Sequence, residues 1–269
     1  MEVVVRGAWV IAYRELLRYV RERARVISSL AMPLVFLVIF GAGLNRSMGR
    51  LTGGVDYLQF MYPGIIAMTV FMSSLMSGLS VVWDREFGFL KEVLVAPLSP
   101  AGIVFGKALG AATIALGQAL ILLLLAPFIG VHVSVMLVLE LVPLLLVISF
   151  ALSGLGLLIA SRMHSQQSFQ LVMQIVIFPL TFLAGIFFAV NNVPTWMAVV
   201  SKLDPLTYGV DAIRRLFLEG QVPATGTPNQ LFGVEVLGHT THAFEDILVV
   251  VLLGALLLGA AAVTFGRQE

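Results

Sequence analysis

Six stretches of this chain are continuously apolar, and they limit its possible folds more than any other feature. They cover about 28–44, 60–82, 104–126, 136–160, 170–190 and 246–265. A helix crossing the hydrocarbon core of a bilayer needs about 20 mostly apolar residues, with a range of about 17–25. The first stretch is at the short end of that range. None alternates apolar with polar side chains, as the strands of a membrane barrel would. Only 12% of the 269 residues are charged, against about 25% in a soluble domain, which is too little polar cover for a water-facing surface. The expected fold is therefore an all-α integral membrane protein with six transmembrane helices, residues 1–269 forming a single transmembrane domain.

The basic residues orient it. With the N-terminus in the cytoplasm, the inner segments hold eleven Arg and Lys and the outer segments five. Positive charge collects on the cytoplasmic side of membrane proteins, so both termini are expected there, in the cell membrane. Residues 1–27 precede the first span. Arg14, Arg18, Arg21 and Arg25 recur in them at helical spacing, with Trp9, Leu16, Tyr19 and Val20 broadly opposite. That pattern predicts an amphipathic interfacial helix in contact with membrane lipid. The basic segment is long for a secretory signal, so retention rather than cleavage is expected. Residues 191–245 form the long extracytoplasmic loop. Within it 193–200 and 206–218 carry apolar residues at helical spacing, each after a proline near its start. Both are too short to span, and predict re-entrant or interfacial helices before span six.

Little in the chain points to catalysis. It has no cysteine, which removes disulfides, thiolate metal sites and cysteine nucleophiles. His239 and His242 are close together, but in a polar loop, where a solvated surface is the expected reading. A net charge of +1 gives no bias toward nucleic acid. Gly102 to Ala108 superficially resembles a phosphate-binding loop. It has three residues rather than four between its glycines, and Ala108 where Ser or Thr is needed. Gly102, Gly106 and Gly110 instead form a stripe suited to close helix packing. Glu140, near the start of span four, reads as a helix-end acid stabilised by the dipole. Gln118, Gln170 and Gln174 read as groups joining helices, although Gln170 and Gln174 share a face on which they would also suit a pathway.

The densest charge cluster falls between spans two and three, in "WDREFGFLKEVLVAPLSP" from Trp83 to Pro100. On a helical wheel Phe87, Phe89, Leu90, Val93 and Leu94 gather on one side. Asp84, Arg85, Lys91 and Glu92 gather on the other, and Glu86 stands out of register among the apolar residues. Pro97 and Pro100 close the segment. This predicts a short cytoplasmic helix able to dock a partner through its apolar side.

The residues from Arg85 to Pro100, followed by Gly106-Lys107, resemble the hallmark of type-2 ABC transporter permeases. The resemblance is to the branch holding daunorubicin-resistance-type drug exporters and nodulation lipo-oligosaccharide exporters. "YPGII" at Tyr62–Ile66 and "LDPLTYGVDAIRRL" at Leu203–Leu216 are similar to two further family segments. The resemblance implies a permease without its own ATPase site. ATP and magnesium would sit on a separate ATP-binding cassette subunit, and no cofactor on this chain. It implies a second permease copy in a complex of two permeases, as a homodimer, with two ATPases. It also makes 83–100 a coupling-helix loop, in which Arg85, Glu86, Phe87, Gly88, Phe89, Leu90, Lys91 and Glu92 are the ATPase contacts. An acid is common in the family where Lys91 stands here. The implied function is export of a hydrophobic or amphipathic molecule. The alternatives are transport of a lipid-linked oligosaccharide or polysaccharide, and an ion-coupled carrier. A carrier would show several buried charges within its spans.

Overall fold

The computed structural model describes residues 2–43, 57–88, 100–131, 133–188, 190, 193–218, 234–236 and 239–266. It is an all-α membrane protein. Helix α1 (Glu2–Arg21) is followed by α2 (Arg23–Phe36), which ends in a π-helical turn at Leu37–Ala42. Then come α3 (Tyr57–Leu75), α4 (Ser77–Glu86), α5 (Pro100–Leu125) and α6 (Val135–Ser161). The remainder is α7 (Gln166–Leu183), the short α8 (Thr195–Ser201), α9 (Pro205–Leu218) and α10 (Ala243–Gly266). A two-residue antiparallel pair, Glu235–Val236 with His239–Thr240, precedes α10. Six helical segments are long and apolar enough to cross a membrane. Span two is α3 with α4, interrupted at Met76, and the other five are α2, α5, α6, α7 and α10.

Two spans differ from their sequence-based bounds for physical reasons. Span one starts at Arg23 rather than near 28, because Glu22 separates it from α1 by a single residue. Span five runs over Gln166–Leu183 rather than 170–190. Gly185 ends it at φ +76°, a left-handed conformation that glycine adopts without strain. The apolar residues after it do not continue across the membrane. Ile186 and Phe187 fold back and are buried in the bundle, where Tyr57 donates its hydroxyl proton to the Phe187 carbonyl at 3.2 Å.

Span two is the centre of the bundle, with 72% of its apolar window buried, against 11% for span one and 17% each for spans five and six. Spans three and four and helix α9 pack around it. The peripheral spans keep wide apolar faces for lipid or for another chain. Without a hydrophobic drive in lipid, helices associate through close packing and polar contacts, and spans two and four show this at Gly78 and Gly156. A Cβ on Gly156 would lie 2.2 Å from the Leu75 carbonyl oxygen, and one on Gly78 would lie 2.3 Å from the Gly156 carbonyl oxygen. The two backbones touch. Gly156→Leu is expected to separate them and to abolish the monodisperse folded species in detergent. Recovery of that species at the parent yield would refute the contact.

Candidate functional site: the root of the loop between spans two and three

Span two does not yield to a separate helix at Asp84. It continues to Glu86 and stops with Gly88 at φ +78°. Asp84, placed on the watery side of a loop helix by the wheel, is instead buried in the bundle. Phe89, Leu90, Lys91 and Glu92 lie outside the described residues. What the structure presents is the root from which that loop leaves and to which it returns.

The root is built around Lys107, whose side chain is 1% exposed. Its ammonium donates to Asp84 Oδ2 at 2.8 Å, to Ser80 Oγ at 2.9 Å and to Glu15 Oε1 at 3.2 Å. An ammonium has three protons, and all three are used. Asp84 leads into the loop and Lys107 follows it, so their contact closes the loop at its base. Arg14 adds a second bond to Asp84 Oδ2 at 3.0 Å, and Arg18 stacks 3.9 Å from the centre of the Trp83 ring. Helix α1 is therefore fixed against both spans. Its inward face is the buried Ala8, Ile11, Ala12 and Tyr19 with the partly buried Glu15, while Trp9, Val10, Tyr13 and Val20 stay exposed. The glycine stripe of span three meets that face. A Cβ on Gly106 would lie 2.8 Å from the Ala8 carbonyl, and one on Gly110 would lie 3.0 Å from Glu15 Cβ. Gly102, the third member, is buried.

The loop's first residues also reach the other side of the bundle. Arg85 donates to the Met163 carbonyl at 2.6 Å and the Ser161 carbonyl at 3.2 Å, the C-terminal end of span four. Glu86 Oε2 accepts from the Gln166 N–H at 3.1 Å. That N–H is among the first of span five, where helical donors lack partners and negative charge is favourable. The residue that stood out of register on the wheel thus caps a neighbouring span. Phe87 is 66% exposed and Gly88 is exposed. The loop base ties together α1 and spans two, three, four and five.

The other sequence-derived residues are dispersed. Gln118 donates to the Tyr19 hydroxyl at 2.8 Å, joining span three to α1. Glu140 is exposed on the first turns of α6, and Gln170 and Gln174 are exposed on α7. None of these three is brought to the root. Among the described residues no cluster of His, Asp and Glu fits a metal ion.

A second polar cluster fixes the opposite end. Helix α9, expected to dip into or lie on the membrane, is largely buried among spans two, four and six. Arg214 donates to the Gly185 carbonyl at 2.6 Å and lies 4.1 Å from the centre of the Phe60 ring. Arg215 bonds Asp211 at 2.7 Å and the Thr241 carbonyl at 2.6 Å, and lies 3.8 Å from the fully buried Asp246. Asp204 caps α9, its Oδ1 accepting from the Leu206 N–H at 2.9 Å, with Pro205 in the first helical position. Burial pushes the Asp204 carboxyl up to about 7, against the opposing pull of that N–H.

A family model described as ABC-2 type transporter matches residues 6–218. The chain belongs to the ABC-2 type transporter family. It is 31% identical over 217 residues to a transport permease, ycf38, of Cyanophora paradoxa, covering 79% of this chain and 74% of that one. It is 27% identical over 197 residues to nodulation protein J of Rhizobium leguminosarum bv. trifolii, covering 72% and 74%. A multidrug ABC transporter permease, YbhR, of Escherichia coli K12 is 32% identical over 173 residues, covering 61% of this chain and 45% of that one. In this ABC-2 permease the family match spans the cluster around Lys107, the loop between spans two and three and all of α9, and stops before Thr241 and Asp246.

Sequence reasoning missed the partners of Lys107. A signal was present. Glu15 falls on the same helical face as Ala8, Ile11, Ala12 and Tyr19, an acid on a small-residue packing face. Asp84 is the first charge at the end of span two and Lys107 a lone charge near the start of span three, on the two spans flanking the loop.

Two predictions follow. Removing one member of a buried ion pair costs about 3–5 kcal/mol, while replacing both with uncharged groups is far milder. Lys107→Met is therefore expected to lower the thermal midpoint in nanodiscs sharply, and Asp84→Asn combined with it to recover at least half of the loss. Equal midpoints for the single and double variants would refute the pairing. The second concerns Asp204, whose folded pKa of about 7 lies above the unfolded value of about 3.9. Between the two, only the folded form holds the proton, so stability falls as pH rises through that window, by up to about 1.4 kcal/mol per unit. Above about 7 the slope vanishes. Asp204→Asn keeps an oxygen for the Leu206 N–H and should gain on the parent between pH 4 and 7. A stability difference flat in pH would refute this.

Proposed function

We propose that this permease is the membrane subunit of an ATP-driven exporter of a hydrophobic or amphipathic molecule, in the cell membrane with both termini cytoplasmic. A separate ATP-binding cassette subunit, carrying ATP and magnesium, acts on the loop between spans two and three. Two copies of each subunit make the complex. The observation that carries this reading is the base of the loop: residues on either side of it bind one another and reach α1 and spans two to five. A partner that moves the loop displaces those elements together, as a rigid lever rather than a slack tether. Phe87, exposed at the loop's start, is a suitable anchor for the partner.

The orientation is supported by the charge distribution. Arg14, Arg18, Arg21, Arg23, Arg25 and Lys107 all belong to the α1 and loop end, the side that positive charge marks as cytoplasmic. Family membership supports the division of labour, since ABC-2 permeases normally work with an ATP-binding subunit. A relative named for multidrug transport supports drug-like cargo. A relative named for nodulation keeps lipid-linked oligosaccharide cargo as the alternative.

Phe89→Ala and Glu86→Ala are expected to reduce ATP-dependent uptake of an amphipathic fluorescent dye by inverted vesicles about tenfold, with the permease still in the membrane. Glu86→Gln, which keeps an acceptor for Gln166, separates the cap on span five from charge-dependent coupling and should retain part of the activity. Uptake at the parent rate in the two alanine variants would overturn the assignment.

A further inference from the structure

A cavity of about 310 Å³ lies between α1 and spans one, two and three, at the lower end of the size range of ligand pockets, about 300–1,000 Å³. It starts at Lys107 and reaches Gln118, eleven residues along one helix, or about 16 Å at 1.5 Å per residue. Four helices line it, and two of them turn hydroxyl-bearing faces toward it. Span one presents Arg25, Ser28, Ser29 and Met32, the i, i+3, i+4, i+7 positions of one face. Span two presents Thr69, Ser73, Ser77 and Ser80, again one face. Ser28 and Met32 are exposed, so the slot opens beside the first turns of span one. Hydroxyl faces are costly against lipid, and here they surround a space instead.

Their hydrogen bonds define what the space accepts. Thr69 donates to the Ile65 carbonyl at 2.8 Å, Ser28 to the Arg25 carbonyl at 3.2 Å and Ser80 to the Ser77 carbonyl at 2.9 Å. Ser29 donates to the Val26 carbonyl at 2.9 Å and lies 2.8 Å from the Tyr19 hydroxyl. Tyr19 in turn accepts from Gln118. These hydroxyl protons are spent on the protein itself, which leaves oxygen lone pairs as the slot's main polar offering. Ser77 Oγ is buried without a partner, and such a group has a claim on a hydrogen bond. The charge at the end wall is not on offer, because all three Lys107 protons are bound by Asp84, Glu15 and Ser80. An anion finds no free ammonium there, and the Arg25 guanidinium on the lining is paired with Glu22 at 3.8 Å. A cation meets one carboxylate, Glu15, already paired with Lys107 and Arg14. Met32, Met72 and Met76 supply soft, adaptable apolar wall.

We infer that this slot binds the uncharged, hydroxyl-bearing head of an amphiphile, whose apolar part leaves past Met32 into the membrane. The identification of that amphiphile as cargo rests on the export reading above; the occupancy of the slot does not.

The absence of cysteine from the chain makes a labelling test clean. Ser73→Cys places a single thiol on the slot wall, and Val263→Cys places one on an exposed position of span six. Each full-length variant, in phosphatidylcholine nanodiscs, is treated with N-ethylmaleimide alone or with octyl glucoside, octyl phosphate or octyltrimethylammonium, at one concentration at which the discs remain intact. Octyl glucoside is expected to slow labelling at position 73 at least fivefold, the two charged amphiphiles less than twofold, and none of them to alter labelling at position 263. Ala111→Phe, which fills the slot from span three, should remove the protection. Equal protection by all three amphiphiles, protection at both thiols, protection that survives Ala111→Phe, or no protection would each overturn the site. Dye export measured alongside separates the two readings. Selective protection with no ATP-driven transport keeps the site and rejects export, whereas transport without protection rejects the site alone.

Discussion

The arrangement of this permease depends on one buried ammonium. Lys107 is buried in the bundle, where an unpaired charge would be prohibitively costly. It is tolerated because three residues each supply an oxygen: Glu15 from α1, and Ser80 and Asp84 from successive turns at the end of span two. Satisfying the charge therefore sets where α1 lies, how far span two extends and where span three begins. Glycines at 106 and 110 let α1 approach closely enough for Glu15 to reach. The packing and the electrostatics require each other.

The opposite end uses the same logic with different residues. Arg214 and Arg215 of α9 bind carbonyls at the end of span five and before span six, and Asp211 and Asp246 accompany them. Between the two polar ends, spans two and four touch through backbone at Gly78 and Gly156. An inner frame of spans two, three and four, pinned at both ends and tight in the middle, resists internal deformation. Spans one, five and six are little buried. Motion imposed on such a frame moves it as a body against its surroundings, which is how rigid-element transitions proceed in packed proteins.

Much of this frame was legible in the sequence. Continuous apolar runs identified six spans, because hydropathy over about 20 residues reports a solvent rather than a tertiary contact. The arginine spacing identified α1 as far as Arg21, although Arg25, expected on the same helix, falls on span one, and the prolines at 194 and 205 marked the starts of α8 and α9. The partners were not legible. A helical wheel treats a segment as if it lay alone on water or lipid, so it put Asp84 in water and left Glu86 out of place. Both depend on groups distant in sequence: Lys107 and Arg14 for Asp84, Gln166 for Glu86. The end of span five failed for a related reason. Apolar residues from Ala184 to Phe188 look the same to a hydropathy window whether they cross lipid or fold back into protein. Gly185 and its contact with Arg214 decide which.

The latch and the slot share their parts. Glu15, Ser80 and Lys107 form the closed base of the loop and also the end wall of the cavity. A molecule held against that wall interacts with the groups that fix α1 to spans two and three. If the loop moves, the positions of Asp84 and Lys107 change with it, and so does the wall. Binding in the slot and displacement of the loop then cannot be energetically independent. Whatever loop position the ligand favours must in turn favour the ligand, since such coupling is reciprocal. An apolar wall would have transmitted little, because it can repack around a ligand at small cost. A wall of fully satisfied charged hydrogen bonds has few alternative arrangements of similar energy, so it relays a displacement from one side to the other.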